Sequence, residues 1–326
     1  MFLTYDLGKI GIDNGQFFIV GAAATNGLER INGPRTARIA NLGYYQTLAN
    51  GHVELKIGYF DNSNEYVGPA VGGSIAGGSL GPTARIPVQV GFGYAIFGTP
   101  AINVRLNADN FLYTKFGIQR SIPPGAGPAE YRENKGLGLR FSVPDAKVLF
   151  VDEVGFNRPA SPGRMSTWIR GGAIYNTCNF KDFRTGANVD NWAVYLSGDR
   201  QLTQPDRKRP FRGLYAGASF NYAPTKQNLY SQYYEARLYG VGLIESRPFD
   251  LASVVATYNR LSSTALRAIA PGLDTDKDTA SVTASYAYRF HSGIYLQPGL
   301  GLTYHSTYYP KLPLAVNLNL AVTFLI

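Results

Sequence analysis

The C-terminal segment of this chain alternates strictly between apolar and other side chains, and this pattern constrains the fold more than any other feature. The residues that fall on one face of an extended strand are all apolar: Leu314, Val316, Leu318, Leu320, Val322, Phe324 and Ile326. The other face carries Ala315, Asn317, Asn319, Ala321 and Thr323. Successive side chains of a β-strand point to opposite sides of the sheet, so the pattern predicts a strand with one apolar face and one face that can contact water.

Similar alternation recurs along the chain, with single cations among the wet residues. Each of these cations is a single arginine in a segment that otherwise has the pattern of a good strand: Arg140, Arg170 and Arg289. The buried face of a two-sheet sandwich disfavours a lone cation, whereas the inner face of a water-filled barrel accepts it. The cations therefore favour a barrel over a sandwich.

The composition also indicates a large antiparallel β protein. The chain has 37 Gly, 23 Tyr and 18 Phe, and only 16% of its residues are charged, yet its mean hydropathy is -0.12. A barrel with one lipid-facing and one wet face combines these properties. The longest nearly uncharged stretch, 87–104, contains three Gly and two Pro, which makes it unsuitable as a membrane-spanning helix. We interpret it as two strands joined at 98–100.

Counting the alternating segments predicts an all-β fold, a transmembrane antiparallel β-barrel of about 16 strands in a single domain, 1–326. The candidate strands lie near 1–7, 15–23, 38–49, 52–60, 85–97, 101–108, 111–119, 137–143, 146–155, 166–177, 191–202, 211–223, 232–246, 249–261, 278–291, 293–306 and 313–326. Short turns at one end and long loops at the other are typical of such barrels. The long connections are 61–84, 120–136, 178–190, 203–210 and 262–277, and the small, uncharged loop 68–81 is the best candidate for a segment that folds into the pore.

Four short motifs occur along the chain in a fixed order. They are DLGKI at 6–10, WAVYLSGDR at 192–200, GVGLIESRPFD at 240–250 and YLQP at 295–298. In sequence and in order they resemble the carbohydrate-selective porin (OprB) family, and the similarity covers nearly the whole chain. The resemblance implies an outer-membrane porin of about sixteen strands that admits sugars through a pore narrowed by inward loops and lined with arginine.

The chain departs from the family pattern at two places. Family members have further sequence before the 6–10 motif, including an export signal and the first strand, so the N-terminal part of the family barrel is expected to be missing here. The family's Gln-Pro-Asp-Leu-Gln run is replaced by a sequence with Gly299 and Gly301, and the family's Glu on the preceding strand corresponds to Thr283. If these positions line the lumen, the departures leave open whether sugar selectivity survives.

The wet faces supply the charges and surfaces that a diffusion pore needs. The cations predicted to point inward are Lys56, Arg105, Lys115, Arg140, Arg170, Arg237 and Arg289, against Glu54 and Glu235. With a net charge of +9 for the chain, this balance favours anions or neutral solutes over cations. The candidates for stacking on a sugar ring are Trp168, Tyr195, Tyr215 and Tyr295. Each inward arginine has an alternative role as the structural partner of a carboxylate on a neighbouring strand.

The sequence carries no motif for catalysis, a metal site or a cofactor. The three histidines, His52, His291 and His305, lie far apart in the sequence and outside any ligand or catalytic spacing. The single cysteine, Cys178, excludes an intramolecular disulfide. The glycine-rich loop 68–81 lacks the Gly-Lys-Ser/Thr ending of a phosphate-binding loop, so nucleotide binding is not expected. No His-Glu-x-x-His motif accompanies the histidines, so the chain is not expected to be an enzyme.

These observations together predict an outer-membrane porin for passive diffusion of small solutes. The expected partners are outer-membrane lipid, lipopolysaccharide and small sugars or anions, and nucleic acid is not among them. The basic run 207–209 is interpreted as a solvated or lipopolysaccharide-facing patch. Two alternatives stay open, namely a non-conducting structural or partner-binding barrel and a soluble all-β lectin or capsid protein.

Overall fold

One antiparallel sheet runs through the chain. The computed structural model describes residues 2–24, 36–67, 85–93 and 97–324. Within these residues, fifteen strands follow one another across the sheet in chain order. They are β1 (Phe2–Asp6), β2 (Gly15–Ala24), β3 (Thr36–Leu48), β4 (Val53–Phe60), β5 (Thr99–Asn107), β6 (Leu112–Arg120), β7 (Val148–Arg158), β8 (Thr167–Lys181), β9 (Asn188–Gln201), β10 (Gly213–Tyr222), β11 (Tyr230–Val241), β12 (Leu251–Leu261), β13 (Asp278–His291), β14 (Ile294–Tyr304) and β15 (Leu314–Phe324).

The sheet is apolar on its outer face and polar on its inner face, the reverse of a water-soluble sheet. On β8, Ile169 is 51% exposed, whereas Arg170 beside it is 3% exposed. On β9, Leu196 is 55% exposed and Ser197 is 7% exposed. Apolar side chains that face outward along whole strands require lipid rather than water as their surroundings. The alternation predicted from the sequence therefore corresponds to a lipid-facing and an inward-facing set.

The connections between strands lie at two ends, because every strand runs antiparallel to its neighbours. The short-turn end carries the 3-10 turn Ala49–Gly51 and the β13–β14 hairpin, where Gly293 has a φ of 76° that suits a tight turn. The long-loop end carries the β4–β5, β6–β7 and β12–β13 connections. The β9–β10 connection lies at the short-turn end, so the predicted grouping of 203–210 with the long loops is wrong.

Part of the β4–β5 connection folds against the inner face of the sheet. This inward segment, defined here as 61–67 and 85–93, contains the short helices α1 (Asn62–Tyr66) and α2 (Arg85–Gln89). Its apolar residues form one buried cluster with inner-face residues of β7 to β11: Tyr66, Ile86, Val90, Phe92, Leu149, Val151, Ile174, Ala193, Tyr195, Ala223 and Tyr233. The predicted pore loop 68–81 lies outside the described residues.

Two segments predicted as strands adopt other structures. Within 85–97, α2 replaces the predicted strand because its apolar side chains pack into the buried cluster instead of facing lipid. The segment 137–143 is an irregular chain, in which Gly138 has a φ of 80° that interrupts an extended strand. The prediction that Arg140 lies on a pore-lining strand is therefore wrong.

The segment after α3 (Ala126–Glu133) takes over a position that β4 vacates. β4 ends at Phe60, where the chain turns inward, while β3 extends further toward the long-loop end. There the Ile39 N–H donates to the Leu137 carbonyl at 3.0 Å, so a backbone donor that β4 no longer meets keeps a partner. A fourth helix, α4 (Ser263–Ile269), follows β12 and is capped by the Ser262 hydroxyl. Among the described residues, no helix has the length and apolar character to cross a membrane.

Candidate functional site: the inner wall

An ion-pair cluster fastens the inward segment to the inner wall. Glu65 of α1 lies between two wall cations, with its carboxylate 2.6 Å from Lys56 Nζ on β4 and 3.5 Å from Lys115 Nζ on β6. Lys115 also donates to the Glu65 carbonyl at 2.6 Å. Charged hydrogen bonds of this kind in a poorly hydrated place hold geometry firmly. Lys56 and Lys115, both predicted to point inward, thus form a structural clamp with Glu65.

Glu153 of β7 is fully buried behind this clamp and was missed by sequence reasoning. It accepts hydrogen bonds from the Tyr113 hydroxyl at 2.9 Å and the Tyr195 hydroxyl at 2.8 Å, and Lys115 lies 3.2 Å away. Its neighbours on the same face, Leu149 and Val151, are apolar because they lie under the inward segment. Because its neighbours are apolar, the alternation pattern would assign this face of β7 to lipid. The sequence pattern therefore argued against an inward position for Glu153.

An aromatic–cation group lies beside the clamp and consists of Arg105, Tyr113, Trp168 and Arg170. The Arg105 guanidinium lies 4.2 Å from the centre of the Tyr113 ring, and the Arg170 guanidinium lies 4.1 Å from the Trp168 ring. The Trp168 indole N–H donates to the Tyr113 hydroxyl at 2.9 Å. The structure therefore brings together residues that the sequence placed on three separate strands, and Tyr113 links them.

A second polar cluster crosses β9 to β11. Arg237 donates from Nε to Asp199 at 2.7 Å and from Nη1 to Glu235 at 2.6 Å. Tyr215 stacks on Tyr239 with ring centres 4.9 Å apart, and the Tyr239 hydroxyl reaches Asp199 at 3.2 Å. Arg237 pairs with Glu235 of its own strand and with Asp199 two strands away, across β10. This arginine therefore has a structural carboxylate partner, as in the alternative role, although that partner is not on an adjacent strand.

Two of the remaining predicted residues lie near the short-turn end. Arg289 and Tyr295 are cross-strand partners on β13 and β14. The Arg289 guanidinium lies 4.4 Å from the Phe249 ring, and that ring stacks on Phe211 at 6.0 Å. Arg140, at the long-loop end, is exposed, and its backbone N–H donates to Asn134.

The positions that depart from the family pattern lie together on the inner face. Thr283 of β13 is paired with Gly301 of β14, and Gly299 is paired with Ser285 in the same register. Thr283 is buried, and it belongs to the set that opposes the outward Val282. All three positions therefore belong to the inner wall, which is where a departure from the family pattern bears on sugar selectivity.

A carboxylate occurs on the outer face as well. Asp152 of β7 lies between the buried residues Val151 and Glu153 and is itself exposed. It is paired with Phe116 of β6 and Ala173 of β8, which lie near the middle of their strands. Within the described residues, no group of His, Cys, Asp and Glu side chains has the arrangement to hold a metal ion.

The family model for carbohydrate-selective porins of the OprB family matches residues 13–315. The chain belongs to the OprB family. OprB proteins are outer-membrane porins, so this chain is a β-barrel of the bacterial outer membrane that serves passive diffusion. The predicted family, fold class and localisation are confirmed. No curated protein matches the chain in sequence.

Solved porins share the fold of this OprB-family chain. The high-pH structure of OprB from Pseudomonas putida superposes with a TM-score of 0.80 at 14% identity, covering 99% of this chain and 86% of that one. Its low-pH structure gives a TM-score of 0.59 at 12% identity, with coverages of 99% and 82%. An anion-selective porin from Comamonas acidovorans gives 0.53 at 12% identity, with coverages of 97% and 82%. At these identities the likeness establishes the barrel fold.

Proposed function

We propose that the channel admits small neutral and anionic polar solutes, sugars among them. The observation that supports this most directly is the aromatic–cation group beside the inward segment. Flat aromatic rings stack against the apolar face of a sugar ring, while guanidinium groups donate in-plane hydrogen bonds to hydroxyl and carboxylate oxygens. A pore surface of this kind replaces part of a solute's hydration without holding it tightly.

The preference for anions is proposed to be modest, because much of the inner positive charge is neutralised. Lys56 and Lys115 face Glu65 and Glu153, and Arg237 faces Asp199 and Glu235. Arg289 differs, since its guanidinium donates to the Ser292 hydroxyl and lies over an aromatic ring. Only part of the formal charge therefore acts on a passing ion.

The short-turn end is proposed to face the periplasm and the long-loop end to face outward, as in barrels of this type. The basic run 207–209 then lies on the periplasmic side, in the β9–β10 connection. In this orientation the run does not face lipopolysaccharide, so of the two interpretations drawn from the sequence the solvated patch is the one proposed. Contacts with lipopolysaccharide are instead proposed for the long-loop end.

Reconstitution tests the proposal. The purified protein is expected to raise the conductance of a planar bilayer in steps and to let liposomes swell in glucose solution. Trp168→Ala is expected to weaken the block of ion current by glucose about threefold, as the loss of one aromatic stacking surface predicts. The matched control is Trp192→Ala, because Trp192 lies on the outer face beside Tyr222 and is 40% exposed there.

Two results would contradict the proposal. Absence of conductance steps and of swelling would favour the plugged, non-conducting barrel. Conductance with a clear preference for cations, and no effect of glucose, would agree with a channel but would reject neutral and anionic solutes as its substrates.

A further inference from the structure

A basic cavity opens at the long-loop end, away from the aromatic–cation group. Its lining among the described residues is Arg38 of β3 together with Tyr131, Arg132, Lys135 and Gly136 of the β6–β7 connection. The cavity has a volume of about 410 Å³, within the range of sites that hold small ligands. Three of its five described lining residues are cations.

Arg38 is buried in a way that leaves hydrogen-bonding capacity unused. It is 3% exposed, and its guanidinium lies between the rings of Phe97 at 5.3 Å and Tyr131 at 5.0 Å. Its Nη2 donates to the Tyr131 carbonyl at 3.4 Å, whereas Nε and Nη1 are buried and have no acceptor among the described residues. A buried donor without a partner is costly, so a guanidinium held in this state indicates an absent acceptor.

The nearby carboxylates do not balance these cations. Glu130 is already bound by Arg120, at 2.7 Å, and by the Asn134 amide. Glu133 pairs with Arg132 at 3.0 Å and offsets one charge at the surface. Arg38 and Lys135 have no ion pair within the part of the chain that the structure describes. The cavity therefore has an excess of positive charge.

The backbone fixes the cavity at the barrel entrance. The hydrogen bond from Ile39 to the Leu137 carbonyl holds the segment after α3 beside β3, next to Arg38. Gly138, with its φ of 80°, allows this close approach, since a Cβ there would come within 3.3 Å of Arg38 Nη1. The cationic lining is thus built by two distant parts of the chain, rather than by one exposed run of basic residues.

We propose that this cavity is a docking site for the anionic group, a carboxylate or a phosphate, of a small solute approaching from the long-loop end. The inference rests on the proposed function for its role, because docking at the entrance raises the local concentration of anionic solutes. Arg38 would supply its unused N–H groups, while Arg132 and Lys135 would supply charge at the cavity mouth.

Phosphate binding to the full chain in detergent tests the site without requiring an open channel. Inorganic phosphate is titrated and followed by phosphorus NMR, with gluconate as the competing carboxylate. The double variant Arg132→Gln/Lys135→Gln is expected to bind phosphate about tenfold more weakly. Arg184→Gln/Lys226→Gln removes the same charge from exposed residues at the same end and is expected to change binding less than twofold.

Arg38→Lys separates hydrogen bonding from charge. It keeps the charge but loses the guanidinium donors, and it is expected to weaken phosphate binding at least threefold while the protein keeps the heat-dependent gel mobility of a folded barrel. Phosphate binding that is absent in the wild type, or equal in the wild type and the double variant, would overturn the site. Failure of the porin function would appear separately, as a lack of bilayer conductance.

Discussion

Asp152 places a carboxylate on the lipid-facing side of β7, near the middle of the sheet. Its cross-strand neighbours on that face, Phe116 and Ala173, are apolar. A charged group at this depth loses hydration that the bilayer does not replace, although an acidic group costs less than a basic one. Asp152 therefore lowers the stability of the barrel in a membrane.

Asp152→Asn is expected to stabilise the folded barrel in lipid by about 1 kcal/mol, because the substitution removes the charge and keeps the shape. The free energy of unfolding in urea, measured in liposomes, checks this. The matched control is Asp13→Asn in the exposed β1–β2 connection, which is expected to change stability by less than about 0.5 kcal/mol. An equal effect of both substitutions would mean that Asp152 is hydrated.

Residues on the wall show where alternation is informative and where it is not. Arg170 and Lys56 could be assigned to the inner face because most apolar residues of their strands lie on the opposite side, although Ile174 shares the face of Arg170. Glu153 could not, since the inward segment makes its face of β7 apolar as well. The partner carboxylate of Arg237 on β9, Asp199, also lay beyond sequence reasoning, because the register between β9 and β11 through β10 is a property of the sheet.

At the scale of elements, the inward segment depends on the clamp at Glu65. Glu65→Gln keeps the side-chain size but removes the charge that Lys56 and Lys115 share. We expect the segment to loosen by roughly 1.5–3 kcal/mol, the range for hydrogen bonds to charged groups, and the open-channel current to become larger and noisier. Single-channel recording measures both quantities.

The control for this prediction is Glu54→Gln on the same wall. Glu54 accepts from Asn107 at 2.7 Å and makes no described contact with α1, so its neutralisation should leave the noise unchanged. If Glu65→Gln and Glu54→Gln gave the same small change, the clamp would not control the position of the inward segment.

The strands could be predicted from the sequence, but the inward segment could not. Each strand pairs with its neighbours in the chain, so alternation and turns suffice to place it. For α2, the apolar residues of 85–97 resemble a lipid-facing strand, and only the tertiary contacts of Val90 and Ile86 with the wall decide otherwise. The family resemblance did imply inward loops, without saying which residues form them.

One carboxylate joins the β11–β12 connection to β13 at the short-turn end, and so links parts of the chain that are distant in sequence. Asp250 is 5% exposed and accepts from the Arg247 guanidinium, from the Tyr286 hydroxyl at 2.6 Å and from the Arg289 backbone N–H at 2.9 Å. Burial alone would raise the pKa of Asp250, but these donors outweigh it and hold the pKa below its ordinary value. The contacts favour the ionised form in the folded barrel.

The sign of the resulting pH dependence follows from this lowered pKa. Stability from Asp250 is fully present above the ordinary carboxyl pKa of about 4 and is lost as the pH falls through the lower value of the folded state. Asp250→Asn is expected to unfold more easily at pH 7, by about 1–3 kcal/mol, and to lose less stability than the wild type between pH 5 and pH 2. Thermal unfolding in detergent across this range measures the difference, with Asp13→Asn as the control that keeps the wild-type slope. Other carboxylates titrate in the same pH range, so the test is the difference between the Asp250→Asn and Asp13→Asn variants. If their curves of stability against pH ran parallel, Asp250 would not join the connection to β13.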